Sequence, residues 1–153
     1  MAILTKQQMQ LAVGQTNRPY VASLDIGLLI MRIGVGAMFM AFGIPKLTGG
    51  PAMWAQIGGA MKSLHAPLPA EWWGLCAGLS EGVGGLFIVL GLLFRPAAAT
   101  LAFTMVIAAI TMLRSKGFFD ATHSIDMAIV FLGLMFTGAG WYSLDRKLVQ
   151  TIN

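Results

Sequence analysis

Three charged residues, Arg32, Glu81 and Asp126, lie in or at the edge of long apolar stretches of the sequence. A charge in membrane hydrocarbon costs about 2.5–3.5 kcal/mol on insertion scales, so such residues are expected to face the protein interior and to be functional. A buried carboxylate can relay protons, and a cation can donate hydrogen bonds to a polar ligand. Glu81 and Arg32 are therefore the candidate catalytic residues. The competing interpretation is that they form a purely structural polar clamp.

The composition identifies the solvent that the elements carrying these charges must face. Of the 153 residues, 57% are hydrophobic and 10% are charged, whereas a soluble domain carries about 25% charged residues. There is no charge between Arg95 and Arg114, and none between Asp126 and Asp145. Because these stretches cannot form a water-soluble surface, the lipid bilayer is the first predicted partner and the protein is integral to a membrane.

The same composition excludes several functional classes. The single cysteine, Cys76, excludes a disulfide framework and a Cys-x-x-Cys redox pair. The net charge of +4 comes from scattered basic residues, which is typical of helix ends beside anionic lipid rather than of nucleic-acid binding. No metal site is predicted, because Glu81, Asp126 and His123 include no closely spaced ligand pair. No haem or iron–sulfur ligation pattern is present either.

Four apolar segments are long enough to cross a membrane, which needs about 20 residues. They lie at about 24–46, 71–94, 96–114 and 125–142, and residues 1–20 form a polar N-terminal tail. Between spans 1 and 2, Pro51 and Pro67 bound a short amphipathic segment that we expect to lie on the membrane surface. The predicted fold is one all-α domain, an integral membrane four-helix bundle with a short interfacial helix. A basic-residue count of five against four favours cytoplasmic termini.

Helical spacing from the charged residues predicts which positions face the bundle centre. A rise of about 1.5 Å per residue places one residue from each span at the same depth, namely Phe39, Glu81, Thr111 and Asp126. Lys46 and His123 lie above this layer. The predicted ligand-binding residues are Lys46, Phe39, Thr111, Asp126 and His123. With Glu81 they would surround an apolar cavity, which a Gly85→Leu substitution should fill. A carboxylate needs such room for water or a ligand, since a dry closed core would leave it unsolvated.

Two packing questions stay open at this point. Arg32 either pairs with Glu81 or turns toward Asp25, in which case Glu81 meets Lys46 or His123, or is uncharged. The glycines at positions 74, 78 and 82 provide close helix approach either within one bundle or, through Gly82, in a dimer.

The motifs of this chain resemble the DoxX family of small bacterial membrane proteins. The resemblance covers about residues 32–148 and lies in Arg32-Ile33-Gly34 through Phe39, Gly43, Lys46 and Leu47, Glu81 with Gly84-Gly85-Leu86, Leu90-Gly91-Leu92, Lys116-Gly117-Phe118-Phe119 and Ser143-Leu144-Asp145-Arg146. It implies a bundle in the bacterial cytoplasmic (inner) membrane with redox associations, since one relative belongs to a thiosulfate:quinone oxidoreductase. By this resemblance, Arg32, Lys46 and Glu81 are expected to be the functional positions that this chain shares with the family. Asp126 departs from the longer acidic or aromatic residue that members often have there.

Three functions follow from the residues and the resemblance together. The first is a quinone-linked redox protein or membrane subunit of an oxidoreductase, with quinone as the cofactor. The second is a non-catalytic accessory subunit that packs against other membrane subunits. The third is a small proton-coupled transporter, which would need a homo-oligomer because four spans are few. Bound quinone in the purified protein would separate the first from the second.

Overall fold

The computed structural model describes residues 6–62, 64 and 66–152, with side chains over 22–62, 64 and 66–149. Its helices are α1 (Lys6–Thr48), α2 (Gly50–Lys62), α3 (Ala70–Leu90), α4 (Phe94–Ser115), α5 (Phe118–Thr137) and α6 (Leu144–Ile152). Four of them are long and apolar enough to span a membrane: Ala22–Thr48 within α1, and α3, α4 and α5. This confirms the all-α four-span class, and α2 occupies the place of the predicted interfacial helix.

Two helix boundaries differ from the predicted ones. The predicted tail lies partly outside the described residues, and from Lys6 onward its backbone belongs to α1. Helix α5 begins at Phe118 and ends at Thr137, so it is shifted toward the N-terminus of the predicted span. The predicted span begins at about residue 125, yet Asp120 already lies in the first turn of α5, where a carboxylate interacts favourably with the helix dipole.

Glycines set the distance between α1 and α3. A Cβ added to Gly36 would lie 2.7 Å from the carbonyl oxygen of Gly85, and one added to Gly43 would overlap the backbone of Gly82. The prediction of a possible dimer contact through Gly82 is therefore wrong, since this residue is buried against α1. The expectation that Gly85→Leu fills a cavity is also wrong, because the new side chain would meet the backbone of α1.

Aromatic and aliphatic side chains fill the centre of the bundle. Phe39 from α1 meets Phe131 from α5 edge to face, with ring centroids 4.7 Å apart. Ile88 and Leu101 are fully buried between α3 and α4. This core holds the spans in a fixed rotation about their axes, and the rotation decides which polar side chains can meet.

The α3–α4 connection is held by the C-terminal part of the chain. Its short turn contains Leu93, which has φ +44°. The carboxylate of Asp145 accepts hydrogen bonds from the backbone N–H groups of Leu93, at 2.8 Å, and Phe94, at 3.0 Å. Asp145 thus caps the N-terminus of α4 from a position that is remote in sequence, a role usually played by the residue that precedes the helix.

Candidate functional site

The ion pair between Lys46 and Glu81 is the centre of the candidate site. Lys46 Nζ donates to both carboxylate oxygens of Glu81, at 2.6 and 2.5 Å. The Glu81 side chain is 3% exposed, whereas that of Lys46 is 30% exposed. The carboxylate is therefore enclosed by protein, and the ammonium group is the partner that faces outward.

Local packing explains why these two side chains meet. Lys46 lies in the last turn of α1, and Glu81 directly precedes Gly82 on α3. The close approach of Gly43 to Gly82 brings the two helices together at this level. Trp54 of α2 donates its indole N–H to the carbonyl oxygen of Lys46 at 2.8 Å. This bond fixes α2 beside the end of α1, over the ion pair.

A cleft of about 1400 Å³ opens beside the pair. It lies between α2, α3 and α4, with the C-terminal part of α1 at one side, and most of its lining is apolar. Ser80 and Thr104, which are joined by a 3.0 Å hydrogen bond, tie α3 to α4 along its wall. Such a cleft, apolar with a few polar groups, is the usual form of a small-molecule site.

Trp73 carries an unpaired hydrogen-bond donor that is buried beside this cleft. The residue belongs to the cleft lining, and its indole Nε1 is the one buried side-chain nitrogen or oxygen atom in the described part of the chain that lacks a hydrogen-bond partner. A buried donor without an acceptor costs about 1–3 kcal/mol. An acceptor atom of a bound molecule would remove this penalty.

The structure brings together only some of the residues predicted to bind a ligand. Lys46 and Thr111 line the cleft with Glu81. Phe39 is 2% exposed and packs in the core instead. Asp126 and His123 are exposed on α5 and do not belong to the cleft lining.

The misplacement of Asp126 and His123 has a clear physical cause. The prediction assumed that a charge within a span must face the centre of its own bundle. On α5, however, the buried residues are small or apolar: Ala121, Ser124, Ala128, Phe131 and Leu134. Core packing fixes the rotation of the helix by this larger set, which turns Asp126 outward. The predicted ring around the cavity is therefore wrong on the α5 side.

Arg32 performs a different task from the one predicted. Its side chain is 1% exposed and makes four hydrogen bonds to backbone carbonyl oxygens. Nε and Nη2 donate to Ile88, at 3.1 Å, and Val89, at 2.9 Å, at the end of α3. Nη1 donates to Ala139, at 2.7 Å, and Tyr142, at 3.2 Å, beyond α5. The guanidinium therefore ties the carbonyls at the end of α3 to those of the segment between α5 and α6, and it is not paired with Glu81.

Neither open alternative for Arg32 is realised. Asp25 does not receive the guanidinium, because its carboxylate accepts the backbone N–H of Trp141 at 2.8 Å. Gly91 allows the observed arrangement: with φ +64°, it ends α3, and a Cβ added there would overlap the Arg32 guanidinium. The backbone of α3 can thus turn sharply around the arginine.

Sequence reasoning missed Trp73 as a cleft residue. The sequence alone predicts that Trp72 and Trp73 are both anchors at the membrane interface, where tryptophan is enriched. In the structure Trp72 is 58% exposed, and its neighbour turns inward. The signal that could have separated them was the helical spacing from Trp73 to Ala77, Ser80 and Glu81, which lie along the same side of α3.

Comparison with known proteins agrees with this architecture. The model of the DoxX family matches residues 27–114, from α1 to the end of α4. The chain belongs to the DoxX family. This DoxX chain is also similar to two curated membrane proteins. It is 31% identical to the membrane protein Rv3486 of Mycobacterium tuberculosis over 139 residues, which cover 79% of this chain and 80% of the relative.

The second relative of the DoxX chain is the inner membrane protein YphA of Escherichia coli. It is 31% identical over 140 residues, covering 82% of this chain and 93% of YphA. No solved structure matches the chain. The DoxX chain is thus a small multi-pass membrane protein, and its matched family region contains Arg32, Lys46 and Glu81.

Proposed function

We propose that this DoxX protein binds an isoprenoid quinone in the cleft and acts as the quinone-binding membrane subunit of an oxidoreductase in the bacterial inner membrane. The observation that carries the proposal is the buried, unpartnered indole N–H of Trp73, a residue that lines the same cleft as the Lys46–Glu81 pair. A quinone offers carbonyl oxygens as acceptors and a long apolar tail, so it matches both the donors and the apolar lining.

The residues of the cleft would divide the work of holding the head group. A rotation of the Trp73 side chain would bring its buried indole N–H to one quinone oxygen, and Lys46, the more exposed member of the ion pair, would donate to the other. Glu81 accepts hydrogen bonds from the Lys46 ammonium group and thereby orients it. A bound quinone supplies two-electron, two-proton chemistry, and we assign the electron donor to a partner subunit. Thr111, at the α4 side of the cleft, contributes shape, because its hydroxyl already donates to Ile107 of its own helix.

Glu81 and Lys46 together can also move a proton. The carboxylate is enclosed while the ammonium group reaches the cleft, so a proton given up by Lys46 to a reduced ligand leaves a neutral amine beside a carboxylate. Glu81 then favours the return of a proton to the site, which is the positioned acid–base role of such pairs.

Binding in lipid nanodiscs tests the proposal. The purified protein is titrated with a short-chain ubiquinone analogue, and the bound fraction is measured by quinone absorbance after gel filtration. Trp73→Phe keeps an aromatic side chain and removes the donor, and should weaken binding about 3–10-fold, the net value of one hydrogen bond. The matched control, Trp72→Phe, alters the exposed neighbour and should leave the affinity unchanged.

A second comparison separates head-group recognition from partitioning of the tail. Lys46→Met should weaken quinone binding about tenfold or more, since a hydrogen bond from a charged group is worth about 1.5–3 kcal/mol. Farnesol, an isoprenoid alcohol without the quinone ring, should bind equally weakly to wild type and variants. Equal quinone affinity for all the proteins would refute the proposal and favour the accessory-subunit alternative.

A further inference from the structure

The outward side of α5 carries a polar pair where lipid would be expected. Asp126 lies eight residues after Phe118, which is about 12 Å into a helix about 30 Å long. It is exposed, as is His123 one turn before it. Around them are large exposed apolar side chains: Phe119 is 89% exposed, Ile129 63% and Phe136 77%. None of these side chains lines the cleft, although Phe42, which His123 contacts, belongs to the cleft lining.

Within the described part of the chain, Asp126 forms neither a hydrogen bond nor a salt bridge. The ring of His123 meets the ring of Phe42 edge to face, with centroids 6.3 Å apart. An ionisable residue at this depth is costly when it faces lipid and is normally paired or placed in a protein interior. A second protein surface is therefore needed, and it must offer a basic or donating group at the depth of Asp126.

We propose that α5 packs against α5 of a second copy of this chain, forming a two-fold dimer in which His123 of each copy bonds Asp126 of the other. Because both copies have the same topology, their α5 helices run parallel and equivalent residues lie at the same depth. His123 and Asp126 differ by about 60° around the helix and about 4.5 Å along it, so both face the partner. In a two-fold interface, a contact of i with j is repeated as j with i, so both pairs form together.

Gly133 provides the close approach that this arrangement requires. It lies two turns after Asp126, and a Cβ added to it would meet nothing within 4 Å in the single chain. Small residues let the backbones of membrane helices approach closely. The surface therefore contains both an acid and its complementary base, with a glycine at which the helices can cross. This self-complementarity favours a second copy over a different membrane subunit.

A charge-exchange experiment tests the dimer. The full chain is reconstituted in lipid nanodiscs or mild detergent, and its oligomeric state is measured by native mass spectrometry. Asp126→His leaves two histidines in each copy, and so four bases and no acid at the interface, and should weaken the dimer about tenfold or more, through the loss of both reciprocal pairs. The double exchange His123→Asp with Asp126→His restores reciprocal pairs and should restore the dimer. Recovery in the double variant excludes simple misfolding as the cause.

Disulfide cross-linking tests the location. In a Cys76→Ser background, Gly133→Cys should give a cross-linked dimer in native membranes. The control, Val106→Cys, is exposed on α4 outside the proposed surface and should not. A monomeric wild type, a dimer unaffected by Asp126→His, equal cross-linking at both cysteines, or a cross-link of Gly133→Cys only to a protein of different mass would each overturn the proposal.

Discussion

Removing the cation from the candidate site should destabilise the protein more than removing the anion. Lys46→Met leaves the Glu81 carboxylate, 3% exposed, without its partner. Breaking a buried ion pair by removing one member costs about 3–5 kcal/mol. The Lys46 side chain is 30% exposed and lies in the last turn of the first span, from which a lysine can reach the hydrated membrane interface, so we expect water to screen part of the interaction. We expect a loss near the lower end, about 3 kcal/mol of unfolding free energy.

Glu81→Gln should cost less, because the two halves of the pair differ in their access to water. The ammonium group of Lys46 can be hydrated, and the amide oxygen of glutamine still accepts a hydrogen bond from it. We expect a loss of about 1–1.5 kcal/mol, the value of one ordinary hydrogen bond. The double variant Lys46→Met/Glu81→Gln should lose less than the sum of the single losses, with a coupling of about 1–2 kcal/mol for residues in contact.

Reversible unfolding in mixed micelles, titrated with sodium dodecyl sulfate, measures these differences. Lys62→Met is the matched control, since Lys62 is an exposed lysine at the end of α2, and its effect should stay within about 0.5 kcal/mol. Two results would contradict this expectation: a loss of unfolding free energy for Lys46→Met no larger than that of the control, or a larger loss for Glu81→Gln than for Lys46→Met. Either result would mean that the carboxylate is not the enclosed partner.

Three further predictions concern other parts of the chain. Arg32→Lys should lower the unfolding free energy by about 3 kcal/mol or more, because one ammonium cannot reach all four carbonyls and each buried unsatisfied group costs about 1–3 kcal/mol. An unchanged unfolding free energy in the same titration would contradict this role of Arg32. Gly85→Leu should cost about 2–3 kcal/mol by overpacking against α1, whereas Gly34→Leu, where an added Cβ meets nothing within 4 Å, should be tolerated. A reporter fused after Asn153 should be active in the cytoplasm, and periplasmic activity would invert the predicted topology.

The sequence predicts the membrane class well because that class depends on composition and length, which are local properties. Four apolar segments with few charges can only be buried in lipid, and the glycines of α3 provide close packing whichever helix they meet. The Lys46–Glu81 pair was one of several open alternatives. Choosing among them required the crossing point of α1 and α3 at Gly43 and Gly82, which spacing along a single helix does not contain.

The rest of the site depends on contacts between distant parts of the chain. Arg32 was expected to need an acidic partner, but backbone carbonyls fill that role once α3 ends at Gly91 and the segment after α5 folds back. Asp126 was predicted to face the bundle interior because a charge within a span was assumed to face the centre of its own bundle. Trp73 and Trp72 are adjacent and chemically identical, and only the rotation of α3 against its neighbours distinguishes them.

The division of the Arg32 hydrogen bonds has a consequence for the order of events during biosynthesis. Two acceptors belong to α3, but Ala139 follows Arg32 by 107 residues. At about 5–20 residues per second, the ribosome needs roughly 5–20 s to supply the later acceptors. During that interval the guanidinium of the first span lacks its acceptors after α5. Completion of the C-terminal segment is thus the step that satisfies Arg32, and we expect chains that stop before it to keep a buried guanidinium without two of its four acceptors.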